Sequence, residues 1–129
     1  MPFYIQSVHS GKYLDVRGGS KEKGAQVIIY DFNGGKNQQW IYKKGMIVSK
    51  LNGYALDISG GKENGEIIVW PDNGGDNQKW YFADDLTIRS KLGFVLDVKH
   101  SAKDNSSPLV AFSALGQDNQ KFRIVPVEE

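Results

Sequence analysis

The chain has 129 residues, 40% apolar and 24% charged, the composition of one globular domain large enough for a single core. Its net charge is +1 with scattered lysines, which excludes the electrostatic footprint of a nucleic-acid binder and a basic membrane-binding run. It has no cysteine, which removes disulfides, thiolate metal sites and thiol nucleophiles together and fits a reducing compartment.

The N-terminal residues 1–6 lack the charged and apolar regions of a signal peptide, and no run approaches a membrane span. The expectation is a soluble protein made in the cytoplasm, reaching any outside target by a route that needs no signal peptide. From there the chain reads as short alternating apolar bursts bounded by Gly, Asn, Asp and Pro, the pattern of β-strands. Strands are predicted at 3–7, 13–16, 26–30 and 39–43, then at 46–49, 55–58, 67–70 and 79–82, then at 86–89, 95–98, 109–112 and 121–124. Asn33-Gly34, Asn52-Gly53, Asn64-Gly65 and Asn73-Gly74 mark turns. Asn105-Ser106-Ser107 matches a glycosylation triplet, but Pro108 follows it and modification is not expected. Residues 125–129 read as a short tail.

Within this series one unit is written three times. Asn37-Gln38-Gln39-Trp40, Asn77-Gln78-Lys79-Trp80 and Asn119-Gln120-Lys121-Phe122 stand 40 and 42 residues apart. Upstream of each lie a Gly (Gly11, Gly53, Gly93), a Leu-Asp pair (Leu14-Asp15, Leu56-Asp57, Leu96-Asp97) and an aromatic (Tyr30, Trp70, Phe112). The repeats run over about 3–44, 45–85 and 86–126, and units this short must share one core. Twelve strands in three units are too few for a propeller of four-stranded blades. A closed barrel with threefold pseudosymmetry removes the exposed edges instead.

The triplicated pattern of Ile-x-Ser, Gly, Leu-Asp-Val, aromatic and Asn-Gln-x-Trp resembles the ricin B-type (R-type) lectins over nearly the whole chain. The resemblance implies an all-β β-trefoil across residues 1–129. The chain lacks the family toxin's disulfide in each repeat and has one trefoil, not two. In this it is similar to the short, cysteine-free, single-domain R-type lectins of invertebrates. The resemblance further implies a multivalent lectin without catalysis, recognising terminal galactose or N-acetylgalactosamine on glycoproteins and glycolipids, with no cofactor and no metal.

The repeated residues have two readings each. Trp40, Trp80 and Phe122 are expected in the core with Leu14, Leu56, Leu96 and the isoleucines Ile5, Ile47 and Ile88. A carboxylate after a core Leu is disfavoured in a strand. Asp15, Asp57 and Asp97 therefore either accept N–H bonds from a following loop or accept two neighbouring sugar hydroxyls. Tyr30, Trp70 and Phe112 are rim residues or, as the resemblance implies, platforms for a pyranose ring. Asn37, Asn77 and Asn119 offer both a donor and an acceptor. Gln38, Gln78 and Gln120 brace a neighbour or join the same sites. Gly18, Gly60, Asn33 and Asn73 complete the first two cups. The third has His100-Ser101 in place of Gly-Gly and Leu115 in place of Asn, so it is expected to be tighter, weaker or silent.

Catalysis finds little support. Threefold-related carboxylates belong far apart, unlike a glycosidase pair at roughly 5–10 Å, and His9 and His100 are not equivalent. A cytokine- or inhibitor-like protein-binding trefoil leaves the repeated Asp, aromatic and Asn unexplained. A targeting module of a glycosidase or toxin sits less well with a chain of this length starting at Met1. Base rates favour a homodimer.

Overall fold

The computed structural model describes residues 1–128, and they form twelve β-strands and six single 3-10 turns. The strands are β1 (Phe3–Ser7), β2 (Tyr13–Val16), β3 (Val27–Tyr30), β4 (Trp40–Lys43), β5 (Met46–Ser49) and β6 (Ala55–Ile58). They continue as β7 (Ile67–Trp70), β8 (Trp80–Phe82), β9 (Ile88–Ser90), β10 (Val95–Val98), β11 (Leu109–Phe112) and β12 (Phe122–Pro126). This is the β-trefoil. Six strands make a ring: β1 pairs with β12 and β4, β4 with β5, and β8 with β9. Backbone bonds from Trp80 N to Gly45 O (2.8 Å) and from Phe122 N to Leu86 O (2.8 Å) carry the ring across its remaining joints.

The other six strands are hairpins, β2–β3, β6–β7 and β10–β11, one per repeat. Each hairpin loop bonds the hairpin of another repeat. Gly24 N donates to Val69 O, Asn64 N to Ala111 O and Ser106 N to Ile29 O, at 2.7, 2.8 and 2.9 Å. These three residues have φ of 86°, 66° and 72°, the left-handed turn each loop needs to present its N–H outward. The hairpins thus interlock around the threefold axis, and no repeat completes its own hydrogen bonding.

The core draws on all three units. Trp40, Trp80 and Phe122, with Leu14, Leu56, Leu96, Ile5, Ile47 and Ile88, are at most 2% exposed. The indole N–H groups are satisfied inside: Trp40 Nε1 donates to Leu14 O at 3.4 Å and Trp80 Nε1 to Leu56 O at 3.0 Å. No helix among the described residues is long and apolar enough to cross a membrane.

Several boundaries differ from expectation; Gln26, expected to open a strand, lies before β3 in an isolated bridge to Ile68. Gln39, Lys79 and Lys121 precede their strands because each caps a 3-10 turn, its N–H bonded three residues back to Lys36, Asp76 or Asp118. Leu86, expected to open a strand, is 42% exposed at φ 72° in a turn whose Asp85 carboxylate accepts the Thr87 N–H. Val125 and Pro126 are not tail but strand, registered against Tyr4 and Phe3, and Val127 N donates to Pro2 O at 3.1 Å. Of the expected tail, Glu129 lies outside the described residues.

Candidate functional site

The strand pleat sends Leu14 inward and Asp15 outward, and the same holds for Leu56-Asp57 and Leu96-Asp97. An outward carboxylate would ordinarily be solvated. These three are 3%, 4% and 6% exposed, because a 3-10 turn lies over each. The turns are Lys36–Gln38, Asp76–Gln78 and Asp118–Gln120, the repeated Asn-Gln segments.

Each turn braces its carboxylate with two amides. Gln38, Gln78 and Gln120 donate from Nε2 to Asp15, Asp57 and Asp97 at 2.9, 2.8 and 2.8 Å. Asn37, Asn77 and Asn119 donate from Nδ2 to the same carboxylates at 3.1, 3.1 and 3.2 Å. The glutamines are 0% exposed and fully engaged. Each also donates to a carbonyl seven residues back (Asp31, Pro71 or Ser113) and accepts the N–H of Asn33, Asn73 or Leu115 through Oε1. They sit beneath the cups and hold the carboxylate in place, with no polar atom left to offer a ligand.

Burial raises the pKa of Asp15, Asp57 and Asp97 above the ordinary 3.8, and the amide bonds from Gln and Asn pull each part of the way back. A carboxylate has about four acceptor positions. Two amide bonds leave capacity for further donors on the cup side.

Three cups result. The first, of about 500 Å³, brings together Asp15, Gly18, Tyr30, Asn33 and Asn37. The second, of about 220 Å³, brings together Asp57, Gly60, Trp70, Asn73 and Asn77. The third, of about 300 Å³, brings together Asp97, Phe112 and Asn119 with Lys99, His100 and Ser101. The aromatics stand at the rim, Tyr30 39% exposed and the other two half-buried. Among the described residues no group of three His, Cys, Asp or Glu is placed to hold a metal ion.

Sequence reading missed the residues that arrive from another repeat. Ser106 lines the first cup and Asn64 the third. At the second, the Lys23 ammonium stands 5.3 Å from the Trp70 ring centroid. These positions follow from the interlocked loops, which leave only the Asn64-Gly65 turn signal in the sequence. Arg17, Ser59 and Lys99, the equivalent residues two after each Asp, also line the cups.

The third cup differs in ways the residue types alone did not show. His100 and Ser101 keep the left-handed backbone of Gly18-Gly19, with φ of 60° and 54° against 64° and 62°. In volume the third cup lies between the other two, smaller than the first and larger than the second. Asn33 and Asn73 use Oδ1 to accept the Gly35 and Gly75 N–H at 2.8 Å, shaping their own loop as well as lining the cup. A Cβ on Gly35 or Gly75 would stand 2.6 or 2.4 Å from the side-chain Oδ1 of Asn37 or Asn77. The third repeat has Gln117 there, and its Asn119 is 5% exposed with Oδ1 unpartnered among the described residues.

The sequence profile of the ricin-type beta-trefoil lectin domain matches residues 1–123. The chain belongs to this lectin family. Among solved structures, this lectin domain is similar to the designed threefold-symmetric protein ThreeFoil, at 32% identity and TM-score 0.90 over 98% of this chain and 99% of that one. It is also similar to the C-half of an earthworm R-type lectin in complex with GalNAc, at 34% identity and TM-score 0.86 over 96% and 97%. It matches part of an exo-beta-1,3-galactanase from Clostridium thermocellum at 30% identity and TM-score 0.87, covering 98% of this chain and 30% of the enzyme. No curated protein matches it. Membership of the lectin family makes carbohydrate binding the activity class of this chain.

Proposed function

We propose that the protein is a multivalent, non-catalytic lectin for terminal galactose or N-acetylgalactosamine, its sites being the three cups. The observation that carries this reading is the threefold recurrence of a carboxylate, braced by buried amides and facing an aromatic rim. Galactose has an axial 4-hydroxyl, which leaves one face of the ring a continuous patch of C–H bonds. That face lies on Tyr30, Trp70 or Phe112, removing apolar area from water on both sides. Asp15, Asp57 or Asp97 accepts from two adjacent hydroxyls through charge-assisted bonds. Asn37 and Asn77 add an amide at the lip. Gln38, Gln78 and Gln120 are positioning residues that fix the carboxylate beforehand, so little order is lost on binding.

One shallow cup supports a dissociation constant on the order of 0.1–1 mM, and two or three cups on one molecule raise avidity without a new contact. The third is the weakest in this reading, because Asn119 is withdrawn and no Asn stands at 115. A homodimer would double the number of cups, which analytical ultracentrifugation counts directly. The GalNAc complex of the similar earthworm lectin supports the sugar class. Binding to galactose-coated beads tests it: free galactose or lactose competes and mannose does not. Equal competition by mannose overturns the galactose assignment.

A second reading has one observation behind it, the similarity to part of a galactanase. On that reading the same cups anchor a larger enzyme to galactan. Retention on insoluble β-1,3-galactan that lactose fails to elute would favour it over binding of single terminal residues.

A further inference from the structure

Beside the first cup lies a groove of about 350 Å³ formed by Tyr4, Tyr13, Phe32, Val125, Pro126 and Glu128. Its three rings pack edge to face, with centroids 5.0 Å (Tyr4–Phe32), 5.2 Å (Tyr13–Phe32) and 5.9 Å (Tyr4–Tyr13) apart. At these separations the rings touch one another, so nothing fits between them. What they present is a surface, and Phe32 is 56% exposed on it.

The groove adjoins the cup. Tyr13 is paired directly with Tyr30 across β2 and β3, so both rings share one face of the hairpin, about 5 Å apart at Cβ. Phe32 is followed by Asn33, which lines the cup. Tyr30 at the cup thus adjoins, through its cross-strand partner Tyr13, the packed aromatic row of Tyr13, Phe32 and Tyr4 in the groove.

Threefold symmetry supplies the control. The equivalent groove of the second repeat, about 160 Å³, has Met46 for Tyr4, Ala55 for Tyr13 and Asp72 for Phe32, with Lys43 and Lys44 beside them. The fold does not need rings at these positions, because the second repeat forms the same hairpin without them. Three aromatics gathered in one repeat, on the solvent face and next to a cup, call for a function of their own.

We propose that this aromatic row is an additional sugar subsite, so that the first repeat binds an oligosaccharide. The proposal rests on the lectin reading above. The terminal residue sits in the cup of Asp15 and Tyr30. The next residues of the same glycan run over Tyr13 onto Phe32 and Tyr4, their C–H faces against the rings. A sugar chain suits this surface because flat rings with phenol hydroxyls at their edges match a ligand that alternates apolar faces with hydroxyls. The second and third repeats have no such row and take terminal residues only.

NMR titration of the labelled full chain separates the parts. The probes are methyl β-galactoside and a linear galactose-terminated tetrasaccharide. Both should shift Tyr30 and Asn37. Only the tetrasaccharide should shift Phe32 and Val125, and it should bind the first cup about tenfold tighter than the monosaccharide. Phe32→Ala, or Tyr13→Ala (the residue the second repeat already has), should abolish that gain and leave monosaccharide affinity unchanged. The subsite is overturned if the gain is absent in the wild type, if it survives both substitutions, or if Phe32 and Val125 shift with protein concentration alone and mark a contact between copies. Failure of methyl β-galactoside to shift Tyr30 and Asn37 would overturn the galactose reading itself, and the subsite with it.

Discussion

In the second repeat Gln78 donates to Asp57 at 2.8 Å, and in the third Gln120 donates to Asp97 at the same distance. Beneath the cups the two repeats are alike to within the scatter of hydrogen-bond lengths. At the rims they diverge: Gly60-Gly61 becomes His100-Ser101, Asn73 becomes Leu115 and Gly75 becomes Gln117. The difference follows from solvent. A buried carboxylate that loses an amide partner meets a desolvation penalty with no compensation, so the brace cannot drift. A rim residue is wet in the free protein, and exchanging it alters what binds without threatening the fold.

The comparison can be broken at several depths. The deepest is Trp80, whose replacement by Ala should cost about 3–5 kcal/mol in urea unfolding, as for other large core aromatics. Trp80→Phe copies the third repeat into the second. It should cost about 1–3 kcal/mol, the penalty for leaving the buried Leu56 carbonyl without its indole donor. If Trp80→Phe unfolds with the wild type, the hydrogen bond contributes nothing.

One layer up, the carboxylates separate the repeats by function. Asp15→Ala with Asp57→Ala should remove nearly all avidity for galactose-coated surfaces, whereas Asp97→Ala should leave most of it. Surface plasmon resonance on the three proteins, each checked for a native circular dichroism spectrum, ranks the cups. Equal losses from Asp57→Ala and Asp97→Ala would mean that the rim differences do not matter.

Acid should uncouple binding from stability. Because burial raises the three carboxyl pKa values above 3.8, the folded state binds these protons more tightly than the unfolded chain. Between 3.8 and the raised values, the stability contributed by these groups falls as pH rises, and acidification does not unfold the protein through them. It does convert an acceptor oxygen into an O–H donor. Sugar binding should therefore fall on acidification at pH values above 3.8 while the fold persists, which titration calorimetry and circular dichroism on the same samples can follow. Asp85 is the contrast, held down to about 2 by its bonds from Thr87 and Arg89. Its stabilising contribution is lost only as pH falls from 3.8 through that value.

The smallest expected effect lies in the backbone. His100 adopts φ 60°, a conformation costing roughly 1–2 kcal/mol for a residue with a Cβ. His100→Gly should raise stability by about 1 kcal/mol, and Gly60→His should lower it by a similar amount. Thermal melts of the two variants should move in opposite directions.

Repetition made much of this legible in the sequence. Three copies of Leu-Asp, an aromatic and Asn-Gln-aromatic at nearly equal spacing separate the packing residues from the polar ones. Alternation within each strand assigns Leu14 inward and Asp15 outward. Strand ends were less legible at Gln39, Lys79 and Lys121, because a 3-10 turn has too few residues to show a period. The glutamines could be read from sequence as braces or as ligand contacts. Their complete burial beneath the turns, bonded to the carboxylates, is visible only in the fold. Nothing local in the chain places Ser106 at the first cup, Asn64 at the third or Lys23 over Trp70, since each crosses from one repeat to another. The aromatic row was hidden for the same reason. Tyr4, Tyr13, Tyr30 and Phe32 are separate residues along the chain, and strand register sets them side by side. The sequence by itself thus determined the threefold unit, the strands apart from some of their ends, the core and the Asp, aromatic and Asn that recur in each repeat, all of which follow from local period and repetition. Tertiary structure alone decided which loop completes which cup and which rings line up, because those depend on closure of the ring and the interlocking of its hairpins.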